Sequence, residues 1–398
     1  MYLRKLHLRQ FRNYSEQPLD FVAPKTILVG NNAQGKSNLL EAVELLATLR
    51  SHRATRDREL VKTGEPLAQI TATIDRAVSQ VQATLTFRAS GRRTVVLNSE
   101  TLTRQMDFLG SLNAVQFSSL DLELVRGGPE QRRHWLDTLL MQLEPVYSHI
   151  LHQYQQVLRQ RNALLKRIQR HSQNHSSSEV DSRVELAIWD TQLAAIGCRV
   201  IRRRARAIDR LSPIAQEWHR AISGSTEQLD LGYAPNVGLV TNPDSIQEST
   251  QDPAKQAIRV IDDPNELQQA FHDKIQQRTI AEQQQGTSLV GPHRDEVEFT
   301  INQTPARQYG SQGQQRTLVL ALKLAELKLI EEVVREPPLL LLDDVLAELD
   351  LNRQNQLLDA IQDRFQTIIT TTHLGSFDAH WLKSSQILSV NAGRIEVF

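Results

Sequence analysis

The sequence predicts an α/β fold whose two halves are separated in the chain by a mainly helical insertion. Three observations carry this. The apolar run Thr26-Ile27-Leu28-Val29 ends in glycine and is followed, from Asn38, by apolar residues at helical spacing, the pattern of a buried parallel strand feeding a helix. About 300 residues later four consecutive leucines, Leu339 to Leu342, form a second buried strand that runs into Asp343-Asp344. Between the two, apolar side chains recur at three, four or seven over two long stretches, each with one apolar seam.

Taken in order, Leu6, Leu8 and the stretch 19–22 fit short half-buried strands, and residues 26–29 the buried one. Leu39, Leu40, Val43, Leu46 and Ala47 predict a helix over 38–49, after which 68–74, 81–87 and 94–97 alternate as strands between polar or glycine-bearing turns. The character changes beyond Gly127-Gly128-Pro129. Val146, Ile150, Tyr154, Val157, Leu164 and Ile168 mark one helix over 145–168, and Leu186, Trp189, Leu193, Ile196, Val200, Ile208 and Leu211 a second. The polar run 172–178 between them reads as a loop, so the pair predicts an antiparallel hairpin with arms of about 40 Å at 1.5 Å per residue. Residues 241–263 are polar and rich in Pro and Asp, a flexible loop. A helix over 264–285 then leads to strands at 288–291 and 296–301, an apolar helix over 317–330 and a strand over 367–371. The division that follows is one lobe from residues 1–125 and 287–398, with a helical lobe, 126–286, between its halves.

Composition narrows the class. The 398 residues are 40% hydrophobic and 23% charged, ordinary for a globular chain of two or three domains. Cys198 is the only cysteine, which excludes an intramolecular disulfide and a cysteine-built zinc site and points to the cytoplasm. No apolar run approaches the length of a membrane span, and the first seven residues alternate where a signal peptide would be continuously apolar. The formal net charge of zero hides a polarity, because residues 1–220 carry 32 basic and 21 acidic side chains and the rest 14 and 25. A basic half of this kind suits a nucleic-acid partner. Arg159, Arg161, Lys166, Arg167 and Arg170 on one arm, with Arg199, Arg202, Arg203, Arg204, Arg206 and Arg210 on the other, are expected to concentrate positive charge on the hairpin's exposed faces.

Gly30-Asn31-Asn32-Ala33-Gln34-Gly35-Lys36-Ser37 satisfies G-x-x-x-x-G-K-[ST] between a strand and a helix, where such a loop cradles phosphates. The Gly35 and Lys36 amides would face a β-phosphate, Lys36 would bridge β and γ oxygens, and Ser37 would ligate Mg²⁺. Asp343 is expected to hold the metal and Asp344 to polarise the attacking water, both at the carboxyl end of a buried strand. Ser311, Gly313 and Gln314 lie at the start of the apolar helix and can offer hydroxyl and N–H groups to an anion. The glycine loop already holds the phosphates of its own subunit, so this second anion site suits a γ-phosphate offered by another copy. Asp350, in Ala347-Glu348-Leu349-Asp350, and His373, after strand 367–371, complete the set.

In that order these motifs resemble the SMC-like class of ABC-type ATPases, and within it the RecF family of bacterial recombination mediators. Other segments carry the resemblance along nearly the whole chain. They include Arg50-Ser51-His52-Arg53, Leu124 to Pro129, Arg132-Arg133 with Leu136-Asp137, Arg161 to Lys166, and Gly291-Pro292-His293-Arg294-Asp295. Departures are small: Ser119 and Leu120 stand where the family usually has Pro and an acidic residue, and Trp135 where it has Phe or Tyr. The resemblance implies an ABC-type ATPase head split in sequence. It implies binding of ATP and Mg²⁺, dimerisation over two nucleotides and slow hydrolysis. It also implies a clasp on DNA and action with RecO and RecR in loading RecA at single-stranded gaps, supporting replication, repair and the SOS response. It offers Gln116 as a glutamine sensing metal and water, a position that equally suits a strand residue. Arg53, Arg56 and Arg58, with the hairpin arginines, are the expected DNA contacts. The alternatives are a nucleotide-dependent structural tether and the energising subunit of a membrane transporter.

Overall fold

In the computed structural model residues 1–174, 179–237, 263–361, 364–377 and 379–397 are described. Alternation of apolar and polar residues puts β1 (Tyr2–Phe11) and β2 (Tyr14–Asp20) in an antiparallel sheet with β4 (Leu67–Asp75), β5 (Gln80–Arg88), β6 (Thr94–Leu97) and β7 (Glu100–Thr101), in the order β2-β1-β4-β5-β6-β7. β1 turns Leu3, Leu6 and Leu8 inward, while β4 supplies Ala68, Ile70, Ala72 and Ile74. The strand expected over 19–22 ends earlier, at Asp20. Phe21 still donates its N–H to the Arg4 carbonyl of β1, but Val22 donates to the Gln386 side chain instead, which leads the chain out of this sheet and leaves Val22 exposed.

The second sheet assembles strands from both ends of the sequence. β3 (Lys25–Val29), β8 (Ala114–Ser118), β12 (Leu339–Asp343), β13 (Thr367–Thr371) and β14 (Ser385–Asn391) run parallel, and β15 (Arg394–Val397) closes one edge antiparallel to β14, in the order β15-β14-β3-β13-β12-β8. The four leucines of β12 are at most 1% exposed, as a strand covered on both faces requires. α1 (Lys36–Thr48) follows β3 and buries Leu39, Leu40, Val43 and Leu46 against the sheet.

The helical region begins with the short α2 (Glu123–Arg126), α3 (Pro129–Leu143), α4 (Val146–Asn174) and α5 (Glu179–Ile222). The pairings Glu144 with Arg203, Arg161 with Asp190 and Arg167 with Glu185 make α4 and α5 antiparallel. Of the expected loop 172–178, residues 172–174 continue α4 and 175–178 lie outside the described residues. The arms are unequal: 29 residues give α4 about 44 Å and 44 residues give α5 about 66 Å. α5 is longer than its seam predicts because Ala215 and Ile222 stay buried beyond Leu211. It lies against α8 (Gln312–Val334), the apolar helix that starts five residues earlier than expected.

β9 (Leu229–Ala234), β10 (Glu296–Ile301) and β11 (Thr304–Pro305) form a small antiparallel sheet, and α6 (Pro264–Gln285) packs on the hairpin. Of the loop expected at 241–263 only Asp263 is described; it caps α6 by accepting from the Asn265 and Glu266 amides. Short α7 (Ala306–Tyr309) precedes α8, and α9 (Leu351–Ile361) and α10 (Ala379–Lys383) follow it. Residues 288–291 are not a strand. The Ser288 amide donates to Asn162 Oδ1 and the Leu289 amide to Glu282 Oε1, so helix side chains take the bonds a neighbouring strand would have offered.

Two hairpin arginines are not on its exposed faces. Arg161 is fully buried and donates to Asp190 (2.7 Å), Glu282 (2.6 Å) and the Ser288 hydroxyl (2.7 Å). Arg204, 3% exposed, forks onto both oxygens of Asp137 (2.9 and 3.0 Å) and donates to the Pro292 carbonyl (2.7 Å). Each sits on the apolar seam, Arg161 between Val157 and Leu164, Arg204 between Val200 and Ile208, and each is tolerated there because it is paired. Arg159, Lys166, Arg167, Arg170, Arg199, Arg206 and Arg210 are exposed as expected, and Arg202 and Arg203 half-buried.

Candidate functional site

The strand order puts three carboxyl ends side by side: β3 leading into the glycine loop, β12 ending in Asp343, and β13 between them. Thr370 of β13 is in register with Leu28 on one side and Asp343 on the other. Its hydroxyl donates to Asp343 Oδ1 (2.7 Å) and accepts the Asp344 amide (2.9 Å). Ser37 Oγ donates to the same Asp343 oxygen (2.8 Å). The two motifs that lie about 300 residues apart in sequence therefore meet through a shared carboxylate oxygen. Asp344 holds a left-handed backbone, φ 55°, at the turn out of β12.

The loop is built for close approach. At Gly35, φ 119°, an added Cβ would lie 2.7 Å from the Asn13 side chain, and at Gly30 it would lie 2.3 Å from the Val390 carbonyl oxygen. Asn13 donates to the Gln34 carbonyl (2.8 Å), Tyr14 OH to the Gly35 carbonyl (2.9 Å), and the Ala392 amide to Gln34 Oε1 (2.7 Å). No side chain caps the N-terminus of α1, which leaves its first amides and the positive end of its dipole directed at the loop. Lys36 Nζ folds back onto the carbonyls of Gly30 (2.5 Å) and Asn31 (2.9 Å). Burial lowers its pKa, and the nearby Asp344 and Asp343 carboxylates oppose that shift.

Lys36, Ser37, Arg53, Asp343, Asp344 and Thr370 line the cleft over this loop. The donor set fits a nucleotide with Mg²⁺. The ammonium has only carbonyl partners, and Ser37 with Asp343 offers two hard oxygen ligands. No cluster of three His, Cys, Asp or Glu suited to a metal occurs among the described residues, so the ion would need phosphate oxygens and water as further ligands, the usual arrangement for Mg²⁺.

Ser311, Gly313, Gln314 and Asp350 do not line this cleft. Ser311 caps α8: its Oγ accepts the Gln314 amide (3.2 Å) and Gln314 Oε1 accepts the Ser311 amide (2.8 Å). Arg353 of α9 joins that helix start to the segment before α9. It donates to Thr317 Oγ1 (3.0 Å), to the Gly313 carbonyl (3.3 Å) and to the Asp350 carboxylate. Ser311 and Asp350 are thus both exposed and linked through Arg353, and neither lines the cleft over their own subunit's phosphate loop. His373 is exposed just past β13, with its carbonyl bonded to Thr371, and does not line the cleft.

Gln116 does not join the site. It pairs with Leu341, two residues short of Asp343, and opens instead onto a cleft bordered by α1, α3 and α8, where both its amide atoms are buried without a partner. Register along β8 decides this. Arg53 reaches the phosphate cleft, bonded to Asn38 Oδ1 (3.0 Å), whereas Arg56 and Arg58 do not line it. Asn13, Thr370 and Arg353 were missed in the sequence, where no local pattern distinguishes them from other polar residues.

A largely parallel sheet carrying the glycine loop and paired aspartates, with a separate serine-capped helix, defines the head of an ABC-type ATPase. The profile of the RecF/RecN/SMC N terminal domain matches residues 2–394. The chain is 69% identical over 395 residues, 99% of both chains, to the DNA replication and repair protein RecF of Nostoc punctiforme. The solved structure of the recombination mediator RecF with ATP, from the RecFOR pathway, is similar with a TM-score of 0.86 at 30% identity, covering 100% of this chain and 97% of that one. An Smc head bound to a winged-helix domain of ScpA shares the fold, with a TM-score of 0.53 at 16% identity, covering 100% of this chain and 97% of that one. The chain belongs to the RecF family of DNA replication and repair proteins.

Proposed function

We propose that this protein is an ATP-switched DNA clamp of recombinational repair, working with RecO and RecR to promote RecA loading at single-stranded gaps. One observation carries the switch. The Ser311 and Asp350 face is held together by Arg353 and does not line the cleft formed by Lys36, Ser37 and Asp343. A nucleotide held by Lys36 is completed by Ser311 and Asp350 of a second copy, so ATP closes a dimer and hydrolysis opens it. The relatives' names and the RecFOR context support the DNA partner. No helix among the described residues is long and apolar enough to cross a membrane. Residues 1–125 with 287–398 form the ATPase lobe, residues 126–286 the helical lobe, and the working compartment is the cytoplasm.

In this reading the α1 amides and Lys36 hold the β- and γ-phosphates, and Ser37 with Asp343 positions Mg²⁺, which neutralises developing charge when bound. Asp344 accepts a proton as water attacks the γ-phosphorus and the bond to the β-phosphate oxygen breaks, leaving ADP and phosphate. His373, past β13, and the Gln314 end of α8 complete the site on closure. Contact with DNA runs through phosphates, at Arg53, Arg56, Arg58 and the exposed hairpin arginines, so it is strongly salt-dependent.

Filter binding with duplex and gapped DNA, with and without ATP, tests the clamp. Affinity for DNA rises with ATP; an affinity that ignores ATP overturns the reading and favours a tether or a transporter subunit. Asp344→Asn keeps nucleotide binding and accumulates as a dimer, and a monomer at saturating ATP would refute the composite site.

A further inference from the structure

A cleft of about 760 Å³ lies between the first hairpin helix, α4, and the loops at the edge of the antiparallel sheet, apart from the nucleotide site. Its rim carries Arg50 at the end of α1, Arg92 and Arg93 between β5 and β6, Arg104 after β7, and His149 and His152 on α4. No aspartate, glutamate or lysine lines it. The nearby acids are already engaged: Asp57 with Arg93 (2.5 Å) and Asp107 with His149 (3.2 Å). Arg50 meets only the ring of His134 (3.3 Å), and among the described residues Arg50, Arg92 and Arg104 have no carboxylate partner. The floor is apolar, made of Met106, Leu109, Met141 and Leu151, and Gln153, Gln155 and Gln156 add neutral hydrogen-bonding groups along α4.

We infer that this cleft is a path for single-stranded nucleic acid. Three uncompensated guanidiniums on a rim without carboxylates repel one another and are stabilised by a polyanion. Guanidinium forks match phosphate oxygens and stack on base faces, whereas lysine supplies only a point charge, so a rim rich in arginine and without lysine favours nucleic acid over an acidic peptide. A rim of cations over an apolar floor lets phosphates lie at the edge while unpaired bases turn inward onto Met106, Leu109, Met141 and Leu151, and a base is free to turn inward in this way only when it is not paired in a duplex. The site shares the DNA partner of the proposed function but uses none of its nucleotide residues, and it binds with or without ATP.

The test uses the full chain without nucleotide and fluorescence anisotropy of a labelled oligothymidylate of about 20 nucleotides. The triple variant Arg50→Gln, Arg92→Gln, Arg104→Gln lowers affinity more than about tenfold and flattens the slope of log K against log salt by about 2, the release from three single-strand phosphates. Its ATP binding and its ATP-dependent duplex binding stay at the parent level, which also shows that it is folded. Arg92→Glu alone, at an exposed loop position, weakens the oligonucleotide in the same direction. Unchanged oligothymidylate affinity overturns the inference. So does an equal loss on duplex, which would make the cleft part of the clamp surface, or displacement of the oligonucleotide by polyglutamate of matched charge, which would make it an acidic-peptide site. Failure of the clamp reading is visible separately, as parent duplex affinity that does not respond to ATP.

Discussion

Thr370→Val removes one oxygen from the centre of the nucleotide site while keeping shape and β propensity. The hydroxyl makes two bonds, to Asp343 Oδ1 (2.7 Å) and from the Asp344 amide (2.9 Å), at a residue 2% exposed. Losing a bond to a charged acceptor costs about 1.5–3 kcal/mol, and an amide left unpaired about 1–3 kcal/mol where water cannot replace its partner. Asp343 keeps Ser37, and Asp344 borders an open cleft, so the lower end applies, about 2.5–4 kcal/mol in all. The Asp344 amide bond also restrains a left-handed backbone that costs about 1–2 kcal/mol by itself. Without it Asp344 relaxes towards negative φ and its carboxylate leaves the position facing the γ-phosphate. The expected outcome is a lower urea midpoint at unchanged m-value, ATP affinity within about threefold of the parent, and a single-turnover hydrolysis rate at least tenfold slower. Thr370→Ser restores both bonds and most of both losses. Stability within about 0.5 kcal/mol of the parent together with unchanged hydrolysis would refute the role given to Thr370.

Lys36→Ala abolishes nucleotide binding by calorimetry while leaving the urea midpoint near that of the parent, because the ammonium is bonded only to carbonyls of its own loop. Gly35→Ala places a methyl group 2.7 Å from the Asn13 side chain at φ 119°; thermal denaturation shows a loss of about 1–3 kcal/mol, and calorimetry more than tenfold weaker nucleotide binding. Arg204→Met leaves Asp137 and Asp295 buried without their cation and costs about 3–5 kcal/mol in urea unfolding, with ATP affinity retained in the folded fraction. Burial pushes His293 down to about 4, and the neutral ring is fully used, Nδ1 facing the Tyr154 hydroxyl (2.6 Å) and Nε2 the Ser288 carbonyl (3.1 Å). The unfolded chain takes up that proton near pH 6.5, before the folded one does. This contribution is therefore intact above about 6.5 and is lost as pH falls towards 4, by up to about 3 kcal/mol. Thermal unfolding at pH 7.5 and 5 measures it, and His293→Gln reduces the difference; an equal difference in the variant assigns the pH dependence elsewhere.

What the sequence determined by itself is what depends on neighbours along the chain. Gly30 to Ser37 declares its loop because glycine, lysine and serine must stand at fixed spacing to let a backbone wrap a phosphate. Four leucines before two aspartates declare a strand covered on both faces, and the seams of α4 and α5 follow from a period of 3.6. The seam also carried an unread signal, since Arg161 and Arg204 fall on it and an arginine there has to be buried and paired. Only the tertiary structure supplies those partners, Asp190 and Glu282 for one and Asp137 for the other. It alone inserts β13 between β3 and β12, which puts Thr370 against Asp343 and Asp344, lets Ser37 reach the same Asp343 oxygen and leaves Gln116 short of them. It alone separates Ser311 and Asp350 from Lys36 while Arg353 ties the first two together. Local chemistry specifies which groups can hold a phosphate, because hydrogen-bond reach is short and periodicity is local. Which groups share one phosphate depends on strand order and register, set by packing between residues hundreds of positions apart.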